Sequence, residues 1–273
     1  MTFLANYADH LWFVLGAALV FIPLEHVLPR RKEQKLLRPA LKLDLAFMLL
    51  GVVGTMLAAA VFVVIMVGLF INIVPDAARS FVGAQPIWLQ VIGLIIFGDL
   101  YYYWAHRLFH TVPGLWKFHA VHHSIEEMGW AASYRTHPID TAITNSGFVI
   151  IVLLFGVDPA AYALFGVQFA WHSLLKHSNV AIGWGVLRWL YVTPRFHHWH
   201  HANVAEAHDK NFAAQFPLWD VLFGTALMTP DRDPPQYGVD DPVPATFLGA
   251  LAYPFRPDGP DESVPALEPS AAD

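Results

Sequence analysis

The sequence predicts an all-α fold: an integral membrane helical bundle with a helical cap, on the cytoplasmic side, that carries clusters of histidine. Three observations predict it. The chain is 56% hydrophobic and 14% charged, with a mean hydropathy of +0.43, whereas a typical soluble domain carries about 25% charged residues. Its apolar residues fall in runs long enough to cross a bilayer, which takes about 20 residues of helix. Thirteen of its fifteen histidines lie between positions 106 and 208, in spaced groups.

The first apolar run, Leu11 to Leu28, is interrupted by Pro23, Glu25 and His26 and is just long enough to span. Met1 to His10 lacks a positive region and no small-residue cleavage site follows, so the run reads as an anchor that stays. A basic segment comes next: Arg30, Arg31, Lys32, Lys35, Arg38 and Lys42. The second run, Leu43 to Val74, holds one charge, Asp44, and is either one long tilted helix or a hairpin broken near Gly51 and Gly54. A third run goes from Ile87 to Trp104, with Asp99 near its end. A fourth, Ala142 to Leu175, is split by Gly156, Asp158 and Pro159, which reads as a helical hairpin. Everything after Pro230 is rich in Pro and Asp and reads as a loose tail. The expected organisation is therefore 1–90 as N-terminal spans and basic loop, 91–228 as the histidine-bearing region with a membrane hairpin at about 142–175, and 229–273 as tail.

Charge sets the expected orientation. Six basic residues lie between the first two spans, and the loop from Pro75 to Pro86 has only Arg79. The basic loop is expected to be cytoplasmic. With a single crossing by Leu43–Val74, the third span returns to the cytoplasm and the histidine clusters emerge there; a hairpin would turn them outward. A single crossing is expected. The net charge of −6 gives no basic footprint for nucleic acid. Without cysteine there are no disulfides, thiolate zinc sites, iron–sulfur clusters or cysteine nucleophiles.

The histidines fall in three patterns: His106 with His110; His119 with His122 and His123; and His197, His198, His200 and His201. Residues three and four apart share a helix face, and neutral imidazole is a good ligand for first-row divalent metals. Three such faces offer eight nitrogens, and His172 and His177 raise the number to ten. A tetrahedral zinc site needs four, so this supply suits two ions, each with four or five nitrogens and an open position. His198 breaks the face of its neighbours and reads as a supporting or solvated group. His137, before Pro138, is either ligand or cap. His208 reads as structural, and His10 and His26 as interfacial. Asp99 is placed to orient a ligand imidazole or to cap the helix end, Asn211 and Asp220 to support a ligand or fix a loop. Tyr101, Tyr102, Tyr103 and Trp104 read mainly as an interfacial aromatic belt, with the lining of a lipid channel as the alternative for some of them. The His-Glu-x-x-His pattern of metalloproteases is absent. Zinc stays open on ligand type alone, iron would activate O2, and the rival class is a divalent-metal binding or transport membrane protein.

Several separate stretches resemble the fatty acid hydroxylase/sterol desaturase superfamily: Tyr103 to His110 (YWAHRLFH), Leu115 to Ser124 (LWKFHAVHHS), Tyr134 to Pro138 (YRTHP), His177 to Asn179 (HSN), Thr193 to His197 (TPRFH), Lys210 to Phe212 (KNF) and Trp219 to Thr225 (WDVLFGT). The resemblance covers about 90–228, with the motifs in the family's order. It implies a non-haem centre of two Fe ions on the cytoplasmic side, with zinc as a substitute in purified material. It also implies O2 as co-substrate, hydroxylation or desaturation of a lipid (sterol, fatty acyl, ether lipid or carotenoid), and electrons from a separate donor of cytochrome b5-like or ferredoxin type. The ligands it carries over are His106, His110, His119, His122, His123, His197, His200 and His201, with His177 as a ninth and His172 as a tenth. One departure is visible: Ala213 and Ala214 stand where the family often has Gly after the Asn-aromatic pair.

Overall fold

The computed structural model of the chain describes residues 3–182, 185–228 and 232–257, with side chains from residue 7 onward. Among the described residues the fold is helical, with two isolated bridges and no strand. Four helices are long and apolar enough to cross a membrane: Tyr7–Val27, Leu41–Phe70, Ile87–Thr111 and Pro138–Phe155.

Helix α1 (Phe3–Val27) carries the charge that interrupts its apolar run for a reason. Buried Glu25 accepts the backbone N–H groups of Trp130 (2.8 Å) and Asn179 (2.9 Å), tying α1 to the cap. Helix α2 (Leu41–Phe70) is continuous. Where the glycines leave a break open, the structure instead has one π turn, Phe47–Gly51. Such a widened turn presents carbonyls sideways. The Met48 and Leu49 carbonyls there accept from His10 Nε2 (2.9 Å) and Tyr7 Oη (2.8 Å) of α1. Beyond it, Val52–Phe70 contains no buried residue. Its side chains, like Trp12 and Leu19 of α1, are left for hydrocarbon, where apolar exposure costs nothing and only a helix satisfies its own backbone.

A short helix α3 (Asp76–Gly83) connects to α4 (Ile87–Thr111). Arg79 of α3 donates to the Ile71 carbonyl at the end of α2. Helix α5 (Pro113–His123), α6 (Pro138–Phe155), α7 (Pro159–His177) and α8 (Pro194–His200) each begin on proline, which is pre-set for the first helical position and lacks a donor that would be orphaned there. Gly156, at φ 67°, ends α6, and the Asp158 side chain caps α7 through Ala160 N–H (2.7 Å), forming the hairpin turn. Helices α4 and α6 approach closely at Gly147, where a Cβ would fall 2.0 Å from the Tyr101 ring.

The basic segment lies against the cap. Arg31 N–H meets Asn179 Oδ1 (2.9 Å), and Arg30 pairs with Asp233 (2.6 Å). Arg38 and Arg135 clasp the fully buried Asp44 (2.6 and 2.5 Å). Loop 28–40 and the histidine clusters therefore sit at one end of the bundle. Residues 232–257, where composition suggests a loose tail, pack on that end: Tyr237 is buried, Asp241 accepts from Trp116 Nε1 and Tyr253 Oη (both 3.2 Å), and α10 (Phe247–Ala252) follows the short α9 (Leu218–Leu222) and meets Phe47. Residues 258–273 lie outside the described ones.

Candidate metal centre

Four helix ends meet at the cap. The last turns of α4 bring His106 and His110; α5 brings His119, His122 and His123; α7 ends on His177; α8 and the residue capping it bring His197, His200 and His201. These nine imidazoles form two groups. His106, His110, His119, His123 and His200 make one; His122, His177, His197 and His201 make the other, and in each the candidate ligand atoms lie within 4.8 Å of one another.

The nitrogens face inward. In the first group Nε2 of His106 lies 2.9 Å from Nε2 of His119, and Nε2 of His123 3.0 Å from Nε2 of His200. In the second, Nε2 of His177 lies 3.1 Å from that of His122 and 2.8 Å from that of His197, which is 3.2 Å from His201 Nε2. Two nitrogens each about 2.1 Å from one ion lie about 3 Å apart when cis. This spacing fits a shared metal ion. His110 Nε2 is buried with no hydrogen-bond partner among the described residues, a cost that a metal bond would remove.

The opposite ring nitrogens explain why. His106 Nδ1 donates to the Phe212 carbonyl (2.7 Å), His122 to that of Arg135 (3.0 Å), His177 to that of Ser173 (2.7 Å), and His200 to that of Lys210 (2.7 Å). His119 Nδ1 meets Asp140 Oδ2 at 2.7 Å. Each partner fixes the tautomer and leaves Nε2 free as a ligand. Burial pushes the His122 and His200 imidazoles down to about 3, and, with crowding by neighbouring imidazoles, His123, His197 and His201 well below their ordinary value. All five are therefore neutral at pH 7, the form that binds metal.

A loop supports the two carbonyls at 210 and 212. Asp99 accepts the backbone N–H groups of Ala214, Gln215 and Phe216 (3.0, 2.9 and 2.8 Å). Asp220 accepts those of Phe212 and Ala213 (both 2.8 Å) and the Thr225 hydroxyl (2.7 Å). Asn211, in the left-handed region at φ 62°, bonds Phe196 and Leu227. These residues act on His106 and His200 through the backbone and touch no imidazole. Ala213 and Ala214 fit because neither has positive φ.

The remaining sequence candidates stand apart. His172 Nε2 donates to the Val192 carbonyl (2.7 Å) and its ring stacks on Tyr191. His198 Nδ1 meets Tyr237 Oη (3.1 Å). His137 caps α6 through Ile139 N–H and reaches the Leu251 carbonyl. Two residues of the site are not evident from the sequence: Asp140, whose only signal is an acidic residue in the first turn of a helix three positions after His137, and Arg135, whose carbonyl holds His122.

Two cavities reach the groups. One, of about 260 Å3, runs from His119, His122 and His177 down between α1, α2, α6 and α7, past Phe13, Phe47, Val52 and Phe169. The other, of about 380 Å3, opens at His110, His123 and His200, beside Trp116, with Asp209 and Asp240 exposed at its edge.

The fold and the site together define a helical membrane protein whose cap carries two multi-histidine sites of metal-binding geometry. Residues 91–225 match the model of the fatty acid hydroxylase family. Among curated proteins, the ornithine lipid hydroxylase OlsE of Rhizobium tropici is 33% identical over 66% of this chain and 54% of its own length. The alkylglycerol monooxygenase of Xenopus tropicalis is 29% identical over 57% of this chain and 33% of its own. Methylsterol monooxygenase 1 of Gallus gallus is 30% identical over 52% and 48%. The histidine-bearing region of this chain, residues 91–225, is a fatty acid hydroxylase region, within the superfamily that the motifs resemble. The chain matches about half or less of the length of these relatives. No solved structure matches it significantly.

Proposed function

We propose that the protein is a membrane-bound non-haem di-iron oxygenase that hydroxylates or desaturates a lipid, using O2 and electrons from a separate protein of cytochrome b5-like or ferredoxin type. The observation that carries this reading is the division of nine inward-facing imidazoles into groups of five and four. His106, His110, His119, His123 and His200 would hold one iron, and His122, His177, His197 and His201 the other. All-imidazole sites suit iron, and oxygen-seeking Mg2+ or Ca2+ poorly. Iron held there would supply O2 activation: one C–H, O2, two electrons and two protons give C–OH and water, and two adjacent C–H bonds with the same reagents give an alkene and two waters.

The chain's own residues set the conditions. Carbonyls and Asp140 fix five tautomers, so the rings need no reorganisation to bind. The apolar part of the cavity wall between α1, α2, α6 and α7, with Phe13, Phe47, Val52 and Phe169, would admit a lipid chain and keep water from the reacting bond. The cavity on the other side gives the cap its own solvent connection, where protons and the donor arrive. Loop 28–40, with Lys32 and Lys35 exposed, supports a cytoplasmic cap.

The test is anaerobic loading with Fe(II), then incubation with a bacterial lipid extract, a reducing system and 18O2. The expected product is a lipid heavier by one 18O, or lighter by two hydrogens. Iron-loaded, reduced protein that leaves every lipid unchanged would refute the reading.

A further inference from the structure

The cavity that leads to the histidines is not uniformly apolar, and its polar atoms divide into two kinds. Some are already satisfied: Thr136 and Thr141 bond each other (2.6 Å), Thr144 Oγ1 donates to the Asp140 carbonyl (2.9 Å), and Ser133 Oγ to the Trp130 carbonyl (2.8 Å). Tyr102, Asn145 and Ser173 line the same cavity, and their side chains make no hydrogen bond among the described residues.

These three line one cavity from three helices. Tyr102 precedes His106 by four residues on α4, and the two rings lie 5.4 Å apart. Ser173 precedes His177 by four residues on α7. Residues four apart lie on one helix face, about one turn from each other. Asn145 follows Asp140, the carboxylate on His119, by five residues on α6, a rise of about 7.5 Å. Two helices thus place a free hydroxyl about one turn before a histidine, and a third places a free amide about 7.5 Å along the same cavity from Asp140. A purely hydrocarbon occupant would leave all three buried without partners, a cost that natural sites avoid.

We infer that Tyr102, Asn145 and Ser173 are specificity-determining residues, a polar ring that hydrogen-bonds an oxygen of the substrate (hydroxyl, ether or amide carbonyl). The substrate is then a lipid oxidised near that polar group, within about four carbons, the length of one helical turn. This rests on the oxygenase reading for the oxidation but not for the binding.

The test uses the full-length protein purified in detergent without metal, with tritiated hexadecan-1-ol and tritiated hexadecane as probes of equal chain length. The alcohol binds the wild type about tenfold more tightly than the alkane after correction for detergent partition. In Asn145→Leu/Ser173→Ala that preference disappears while alkane binding is retained. Tyr102→Phe, which removes one oxygen, lowers it severalfold and serves if the double variant does not fold. Equal binding of both probes by the wild type, or an undiminished alcohol preference in folded variants, overturns the proposal. The second arm locates the new oxygen in products of the iron-loaded protein: mid-chain oxidation also overturns it. If the loaded protein oxidises no lipid but the alcohol preference and its loss in the variants persist, the oxygenase reading fails and the ring stands.

Discussion

Replacing Asp140 tests how the site is held without touching a ligand. Its Oδ2 sits 2.7 Å from His119 Nδ1, and both side chains are about as buried as the ligands, at 4% and 3% exposure. Carboxylates in this position raise ligand basicity as well as fixing the ring, and their loss typically costs about 10- to 100-fold in metal affinity, or about 1.4 to 2.8 kcal/mol. Asp140→Asn keeps an oxygen acceptor for Nδ1–H but loses the charge, so it belongs at the lower end. Asp140→Ala also strands a buried N–H and belongs at the upper end, with an additional loss of about 1–3 kcal/mol in folding stability. The assay is chelator competition for Fe(II), read separately for the two sites. The weakening is confined to the group of His106, His110, His119, His123 and His200. Wild-type affinity in Asp140→Ala, or equal weakening at both groups, would mean that Asp140 does not hold His119 for metal binding.

His197→Ala, which removes one of four ligands, lowers bound iron from about two to about one per chain by elemental analysis, and leaves the five-histidine group filled. Asp99→Ala strands three backbone N–H groups of the 214–216 stretch; chemical denaturation should show a loss of about 3 kcal/mol or more, with faster iron release from both His106 and His200 because their carbonyl anchors loosen. Metal-free protein loses stability in acid. The folded His122 and His200 resist protonation down to about 3 while the unfolded chain takes up protons near 6.5, so their contribution is complete above about pH 6.5 and declines as pH falls toward 3. Melting temperatures of chelated protein from pH 7.5 to 4.5 check the sign. Gly147→Ala forces a Cβ into the Tyr101 ring and lowers stability by about 1–3 kcal/mol in the same denaturation assay.

What could be read from the sequence is what repeats locally. The i, i+3 and i, i+4 spacing of the histidines, the proline starts of α5 to α8 and the Gly-Asp-Pro turn at 156–159 are all short-range signals, and each corresponds to an element of the structure. The apportioning of ligands is not local. His122 and His123 are adjacent yet belong to different groups, as do His200 and His201. Consecutive residues point about 100° apart on a helix, so α5 and α8 straddle both sites, and only their packing decides which ring goes where. Asp99 shows the same limit from another side. Its position near His106 suggests contact with an imidazole, whereas it holds a loop distant in sequence whose Phe212 carbonyl does the orienting. The π turn in α2 has no composition signal beyond Gly51, and it is His10 and Tyr7 of another helix that complete it. Buried pairs such as Arg135 with Asp44 join residues far apart in the chain, and a single sequence carries no mark of such a pairing.

Mössbauer spectroscopy of 57Fe-loaded protein, with iron quantified per chain before and after exposure to O2, asks whether the nine histidines hold two irons in an O2-reactive site. The expected result is about two high-spin Fe(II) per chain in two nitrogen-rich environments, one from each histidine group, both oxidised on addition of O2. A single site, or two irons that stay ferrous in O2, would contradict it.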